Sequence, residues 1–299
     1  MREQTGGRQH ARSEDTESAE EAPHFSAVAA DLAPERVAEQ LARGAPAGQF
    51  GAVYEPHGRC GSTNDLCAHR ARQGAPEGLV VLADEQTSGR GRLSRRWWSA
   101  PGENLTFSLL LRPGCTVAAL PPLTLLAGVA IGEALTAAGI TPRLKWPNDV
   151  LCETPGGPRK LVGVLTEMAT QRDEVKHVVL GIGVNVNQTT FDPEVAGTAT
   201  SLRQLTGRSH DRAALLAAIL GRLEGLYGEA MRRGAEAFLP AWRQLARLPQ
   251  PCRVERGGPG GPGVVEGIAA DVDEDGALLI ENAAGVHRVL SGDIDFRAQ

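Results

Sequence analysis

Two apolar runs, Gly78 to Ala83 and Asn104 to Leu111, are held apart by the 20 residues Asp84 to Glu103, a stretch rich in Gly, Arg and Ser. Short apolar runs of this kind read as strands buried on both faces. The chain must therefore build a sheet and cover it with helices. A connection longer than about 12–15 residues inside a compact domain is usually a binding loop, a lid or a linker. Because this one joins two core strands, it reads as a functional loop.

The flanking segments supply the cover. Pro34 opens a short helix that ends at Gly44, and a second helix follows Ser62-Thr63-Asn64 and runs to about Gln73. Val117 to Ile140 reads as an Ala/Gly-rich core helix started by Pro121-Pro122, and those prolines with Glu133 break the run of about 20 apolar residues that a bilayer span needs. Arg143–Trp146 and Asp149–Cys152 are expected as short strands about Pro147-Asn148. Leu161–Met168 and Val175–Val186 follow as longer ones. Asp211 is placed to cap an amphipathic helix carrying Leu215, Leu216, Ile219, Leu220, Leu223, Leu226 and Tyr227, and a further helix is expected over Ala235 to Leu245.

From Cys252 onward the pattern changes to short strands, Cys252–Glu255, Gly263–Ala270, Ala277–Glu281 and Val286–Leu290, parted by Gly/Pro and Asp-Gly turns. That is the pattern of a small β-barrel. The expected organisation is α+β: a polar, acid-leaning tail over 1–33, a mixed-sheet domain with helices over 34–249, and the barrel over 250–299. The tail has no apolar segment of the kind a secretory signal requires, and the cytoplasm is the expected compartment.

Composition narrows the function classes. A net charge of −5 argues against a chain whose whole surface tracks nucleic acid, since neutralising phosphates needs a basic face. Five cysteines without a Cys-x-x-Cys spacing fit neither a disulfide framework nor a zinc site, so no metal ligands are expected from the protein. Only Lys145, Lys160 and Lys176 stand among 31 basic residues, which makes each lysine a flag for chemistry specific to an ammonium.

Four segments carry candidate chemistry. Gly89-Arg90-Gly91-Arg92, extended by Arg95, Arg96, Trp97 and Trp98, puts guanidiniums suited to phosphate or carboxylate beside glycines that let backbone pass close to a ligand. A solvated Arg/Gly loop or an RNA-binding segment has the same composition. Lys145-Trp-Pro-Asn148-Asp149 holds an ammonium and an amide at a rigid strand end, a placement suited to catalysis. Lys160-Leu-Val-Gly163 and Gly181-Ile-Gly-Val-Asn185 add a turn cation and a Gly-interrupted strand, for which structural packing is an equal explanation. There is no P-loop and no dinucleotide fingerprint.

Taken in order, Ser62-Thr63-Asn64, Gln86-x-x-Gly89-Arg-Gly-Arg92, Lys145-Trp-Pro-Asn-Asp149, Lys160-Leu-x-Gly163 and Gly181-x-Gly-x-Asn185 resemble the motifs of biotin protein ligases, over a region from about Gly51 to the C-terminus. The resemblance implies a catalytic domain like that of class II aminoacyl-tRNA synthetases and a C-terminal SH3-like barrel. It implies ligation in two steps: biotin and ATP give biotinyl-5′-adenylate, which then acylates a lysine of the biotin carboxyl carrier protein domain of a carboxylase. On this reading Ser62, Thr63, Asn64, Gln86, Gly89, Arg90, Gly91, Arg92, Lys145 and Gly163 bind biotin. Arg90, Arg92, Arg95, Trp97, Asn148, Lys160 and Asn185 bind ATP or the adenylate. Lys145, Arg92 and Arg95 are the catalytic cations, with Mg²⁺ on the phosphates. The loop 84–103 orders over the adenylate and shields it from water. The family loop usually continues Arg-Gly-Arg, whereas Leu93-Ser94-Arg95 stands here. About fifty residues precede the resemblance, too few for the winged helix-turn-helix of the family's repressor members, so a monofunctional enzyme acting as monomer or homodimer is expected, with no nucleic-acid or membrane partner.

Two rivals make different predictions. A lipoate or octanoyl transferase is expected to lack the Gly-Arg-Gly-Arg and Lys-Trp-Pro-Asn-Asp pair. A nucleic-acid binder built on the Arg/Gly/Trp loop predicts steep salt dependence, and the acidic balance of the chain counts against it.

Overall fold

The computed structural model describes residues 28–44, 48–120, 122–256 and 263–296. Most of the expected tail, residues 1–27, lies outside them. Residues 28–33 do not behave as a tail: Ala30–Leu32 form a 3₁₀ turn and Leu32 is fully buried.

The elements in chain order are α1 (Pro34–Gly44), β1 (Tyr54–Cys60), α2 (Thr63–Arg72), β2 (Val80–Gln86), β3 (Leu105–Leu111), α3 (Leu123–Ala137), β4 (Pro142–Lys145), β5 (Asp149–Thr154), β6 (Gly157–Gln171), β7 (Glu174–Val184), α4 (Leu202–Thr206), α5 (Arg212–Arg233), α6 (Leu239–Ala246) and then β8 (Gln250–Arg256), β9 (Gly263–Val272), β10 (Leu278–Asn282), β11 (Gly285–Val289) and β12 (Gly292–Phe296). The first seven strands form one mixed sheet, in the order β1-β2-β3-β7-β6-β5-β4. Within it only β1 and β2 run parallel. The last five form an antiparallel sheet, β11-β10-β9-β8-β12, the strands of a small SH3-like barrel.

The two faces of the large sheet are used differently, and alternation along the strands shows how. Val162 and Val164 of β6, with Leu180, Ile182 and Val184 of β7, point into a core shared with α3, α5 and α6. Residues of opposite parity, Gly163 and Leu165 of β6 and Gly181 and Gly183 of β7, face the other way. On that second face α2 covers only part of the sheet, with Cys67 and Ala71 packed on Leu79, Val81, Leu110 and Val179. The uncovered remainder is a trough. Because Gly163 pairs with Gly183 and Leu165 with Gly181, three glycines sit together on its floor.

Several expectations shift. The core helix is shorter than Val117–Ile140: a 3₁₀ turn at Val117–Ala119 precedes α3, 11 of whose 15 residues are buried. The helix expected over Ala235–Leu245 is broken into a 3₁₀ turn, Gly234–Ala237, and α6, because Pro240 sits in the first turn of α6 where it cannot donate to a preceding carbonyl. Strand β2 continues to Gln86, so the loop begins three residues later than Asp84, at Thr87. Asp211 does cap α5, accepting a hydrogen bond from Ala214 N at 3.0 Å.

Candidate active site

A cleft of about 1020 Å³ lies over the trough, and every expected site residue except Gly89 lines it. Ser62, Thr63 and Asn64 reach it from the start of α2. The polar atoms of Thr63 and Asn64 are held from below: Ser108 Oγ, on β3, donates to Asn64 Oδ1 at 2.6 Å and lies 2.8 Å from the hydroxyl oxygen of Thr63. Gln86 Oε1 accepts from Thr63 N at 2.8 Å. A Cβ at Gly181 would overlap the Asn64 carboxamide, so glycine there is what lets Asn64 lie on the sheet. All three α2-end residues are buried, so a polar set is presented on rigid elements in an otherwise apolar wall, the arrangement of a small-molecule pocket.

The loop folds back over the cleft as an irregular hairpin. Trp97 N donates to Gly89 O at 3.0 Å and Gly91 N to Arg95 O at 2.7 Å. Gly89 therefore serves the hairpin backbone and not the cleft wall. The Trp97 indole rests on the trough glycines: a Cβ at Gly163 would come within 2.9 Å of its Cζ3, and one at Gly183 within 2.6 Å of its Nε1. Trp97 Nε1 is buried and has no hydrogen-bond partner among the described residues. At the hairpin tip, Leu93 and Ser94 have φ of 56° and 60°, the left-handed region that favours glycine. This is where the chain departs from the Arg-Gly-Arg continuation.

The cations gather at the other end. Lys145 closes β4, and its Nζ lies 4.0 Å from Asp295 of β12. Lys160 pairs with Asp149 at 2.6 Å and stands over the Trp97 ring at 5.6 Å. Arg92 NH1 donates to Asn148 Oδ1 at 3.3 Å and to Gly292 O at 3.4 Å. Burial pulls its guanidinium below the usual value, opposed by Asp293 and Asp149. Arg95 pairs with Asp293. Asn185 Nδ2 donates to Thr200 O at 3.0 Å, so its side chain first of all braces the segment that follows β7. Arg90 differs from the rest, because its guanidinium is taken up by Asp65 and Glu167.

Motif reading missed the contribution of β12 and of Arg143. Asp293, Asp295 and Phe296 line the cleft from the small sheet, and Arg143 stands 5.0 Å over the Phe296 ring. Trp146 Nε1 donates to Gly276 O at 2.9 Å, which joins the strand end bearing Lys145 directly to the small sheet. The only sequence signal for Arg143 is its position two residues before Lys145 on one strand, which puts both on one face.

A profile described as the Biotin/lipoate A/B protein ligase family matches residues 58–185, and one described as the Biotin protein ligase C terminal domain matches residues 250–297. The chain is 39% identical over 243 residues to the bifunctional ligase/repressor BirA of Bacillus subtilis, covering 80% of this chain and 72% of that one. It is 36% identical over 240 residues to the biotin--[acetyl-CoA-carboxylase] ligase of Mycobacterium tuberculosis, covering 78% of this chain and 85% of that one. Among solved structures it is similar to the biotin protein ligase from Aquifex aeolicus in complex with biotin and ATP, with a TM-score of 0.68 and 29% identity over 83% of this chain and 100% of that one.

Proposed function

The chain belongs to the biotin protein ligase family, and from that membership and the cleft we infer that it joins biotin to ATP as biotinyl-5′-adenylate and passes the biotinyl group to a lysine of a carboxylase's biotin carrier domain. The observation that carries this reading is the division of one cleft into a polar, α2-held end and a cationic end, with Trp97 between them. Biotin has an apolar body with a ureido head at one end and a carboxylate at the other. Thr63, Asn64 and Gln86 are suited to the head, and a site built to satisfy such groups discriminates against acids that lack them by roughly 10⁴-fold.

Attack of the biotin carboxylate on the α-phosphate brings two anions together and shifts charge to the leaving pyrophosphate. Fixed cations aimed at that charge lower the barrier. Lys145, on a strand end, is the best fixed of them; Arg92 and Arg95 come with the loop, so their help is available only once the loop has folded over. With the loop in place, water is kept from the acyl-phosphate anhydride. Among the described residues no cluster of three or more His, Cys, Asp or Glu is placed to hold a metal, and Asp149, Asp293 and Asp295 are each opposite a cation. The described residues offer no cage, so Mg²⁺ would be carried by the triphosphate and its waters, as is usual for this ion. Residues 34–249 would then perform both half-reactions, and 250–299 would close the ATP side through β12. We place the enzyme in the cytoplasm, as a monomer or homodimer, with a carrier domain and neither nucleic acid nor membrane as partner.

The test is ATP–pyrophosphate exchange driven by biotin, with lipoate in parallel, followed by transfer to a carrier domain. Exchange with lipoate but not biotin would overturn the reading.

A further inference from the structure

Arg90 is held by carboxylates on two different elements. Its NH1 and NH2 donate to Asp65 Oδ2 and Oδ1 at 2.6 and 2.8 Å, a paired fork to the first turn of α2. NH2 also reaches Glu167 of β6, at 3.2 Å from each oxygen. Glu167 Oε2 in turn accepts from Asn64 Nδ2 at 2.7 Å. Neither carboxylate lines the cleft, whereas Arg90 and Asn64 both do.

Three consequences follow from this wiring. A guanidinium gripped by two carboxylates is not free to neutralise a phosphate. One guanidinium against two carboxylates leaves an excess of negative charge at this end, so an incoming acid turns its carboxylate toward Lys145 and Arg92. Finally, one of the two Asn64 N–H donors is fixed on Glu167, which orients the other donor and links the residue that meets the ligand head to the residue that ties down the loop.

We infer that Asp65 and Glu167 are positioning residues: they latch the loop through Arg90, and Glu167 additionally couples that latch to Asn64, so that loop closure and occupation of the head end support each other. This deepens the biotin ligase reading and rests on it.

The experiment compares Asp65→Asn, Glu167→Gln, Arg90→Gln and the Arg90→Gln/Glu167→Gln double variant. It measures free biotinyl-adenylate released per carrier biotinylated, and the KM for biotin in pyrophosphate exchange. Each single variant should raise release about fivefold, the scale of a partly exposed charge pair. The double variant should release no more than Arg90→Gln alone, because both changes cut the same link. Glu167→Gln, which cuts both the latch and the Asn64 contact, should raise the KM for biotin clearly more than Asp65→Asn, which weakens the latch alone; a general loosening of the fold would not produce that split. Asp65 is largely exposed, so its variant is not at risk of unfolding. Unchanged release in Asp65→Asn and Glu167→Gln, multiplicative effects in the double variant, or equal KM shifts in the two carboxylate variants would overturn the latch. Absence of biotin-driven exchange in the parent protein would instead overturn the underlying reading.

Discussion

The trough floor is where a single methyl group tests the site most directly. In Gly183→Ala the new Cβ would stand within 2.6 Å of Trp97 Nε1 and closer to the six-membered ring edge, against the 3.4–4 Å of ordinary contact. The indole must withdraw by about 1 Å, or β7 must move. The strand is hydrogen-bonded on both sides, by β3 and β6, so the indole yields. Overpacking of this kind costs roughly 1–3 kcal/mol, a factor of about 5–150 in the population of the folded-over loop. Since Trp97 N is bonded to Gly89 O, displacing the ring also pulls on the hairpin that carries Arg92 and Arg95. Biotin-driven pyrophosphate exchange should therefore fall at least fivefold, accompanied by a change in tryptophan emission. Gly163→Ala should do less, because its closest ring contact is 2.9 Å and its other neighbours are the end of the flexible Lys160 side chain. Exchange within twofold of the parent for Gly183→Ala, in a protein of unchanged thermal midpoint, would refute the placement of Trp97 on these glycines.

Lys145→Arg should retain ATP binding but lose at least about tenfold in exchange rate, because a planar fork cannot replace a compact ammonium at a rigid strand end; a rate within threefold of the parent would exclude that role. Ser94→Gly removes a side chain from a left-handed position that costs about 1 kcal/mol, so release of free adenylate should fall a few-fold, and unchanged or increased release would count against strain at the hairpin tip. Arg212 is 1% exposed and pairs with Asp84 at 2.7 Å and Asp31 at 2.5 Å. Arg212→Met strands the buried Asp84 carboxylate, so urea denaturation should show a loss of roughly 3–5 kcal/mol, with a loss under about 1 kcal/mol disproving the network's weight.

Elements whose apolar spacing decides their structure were legible in the sequence. The places of α1 and α2, the cap and apolar face of α5, the two apolar runs that became β2 and β3, and the change of pattern before β8 all follow from local periodicity and from Gly, Pro and Asp at the ends. Strand β1 was not, because Tyr-Glu-Pro-His-Gly-Arg-Cys alternates poorly and lies at a sheet edge, where one side of the strand makes no ladder bonds. Strand β12 was missed for a related reason: Gly-Asp-Ile-Asp-Phe offers one fully buried apolar side chain, Ile294, and its strand state depends on pairing with β8 some forty residues earlier.

The site shows the same limit in sharper form. Local motifs named the residues that line the cleft, because glycine where backbone or a ring must approach, and lysine in a chain that prefers arginine, are signals carried by single positions. What no motif carried is the pairing of polar groups: Asn64 with Glu167 across 103 residues, Arg90 with Glu167 across 77, Arg95 with Asp293 across 198. Four arginines in one loop look equivalent as a string, yet their partners divide them. Arg90 is committed to α2 and β6, Arg95 faces β12, and Arg92 is half-buried against Asn148 and the Gly292 carbonyl. A carboxylate opposite a cation also sets what a phosphate must displace. On the proposed reading Asp295, largely exposed and 4.0 Å from Lys145, would give way to a triphosphate at little cost, whereas the two-bonded Asp65 fork on Arg90 would cost more to open. On that reading the direction in which the two substrates enter the cleft would be decided by which cations are already neutralised, a property of the folded sheet and not of any one segment.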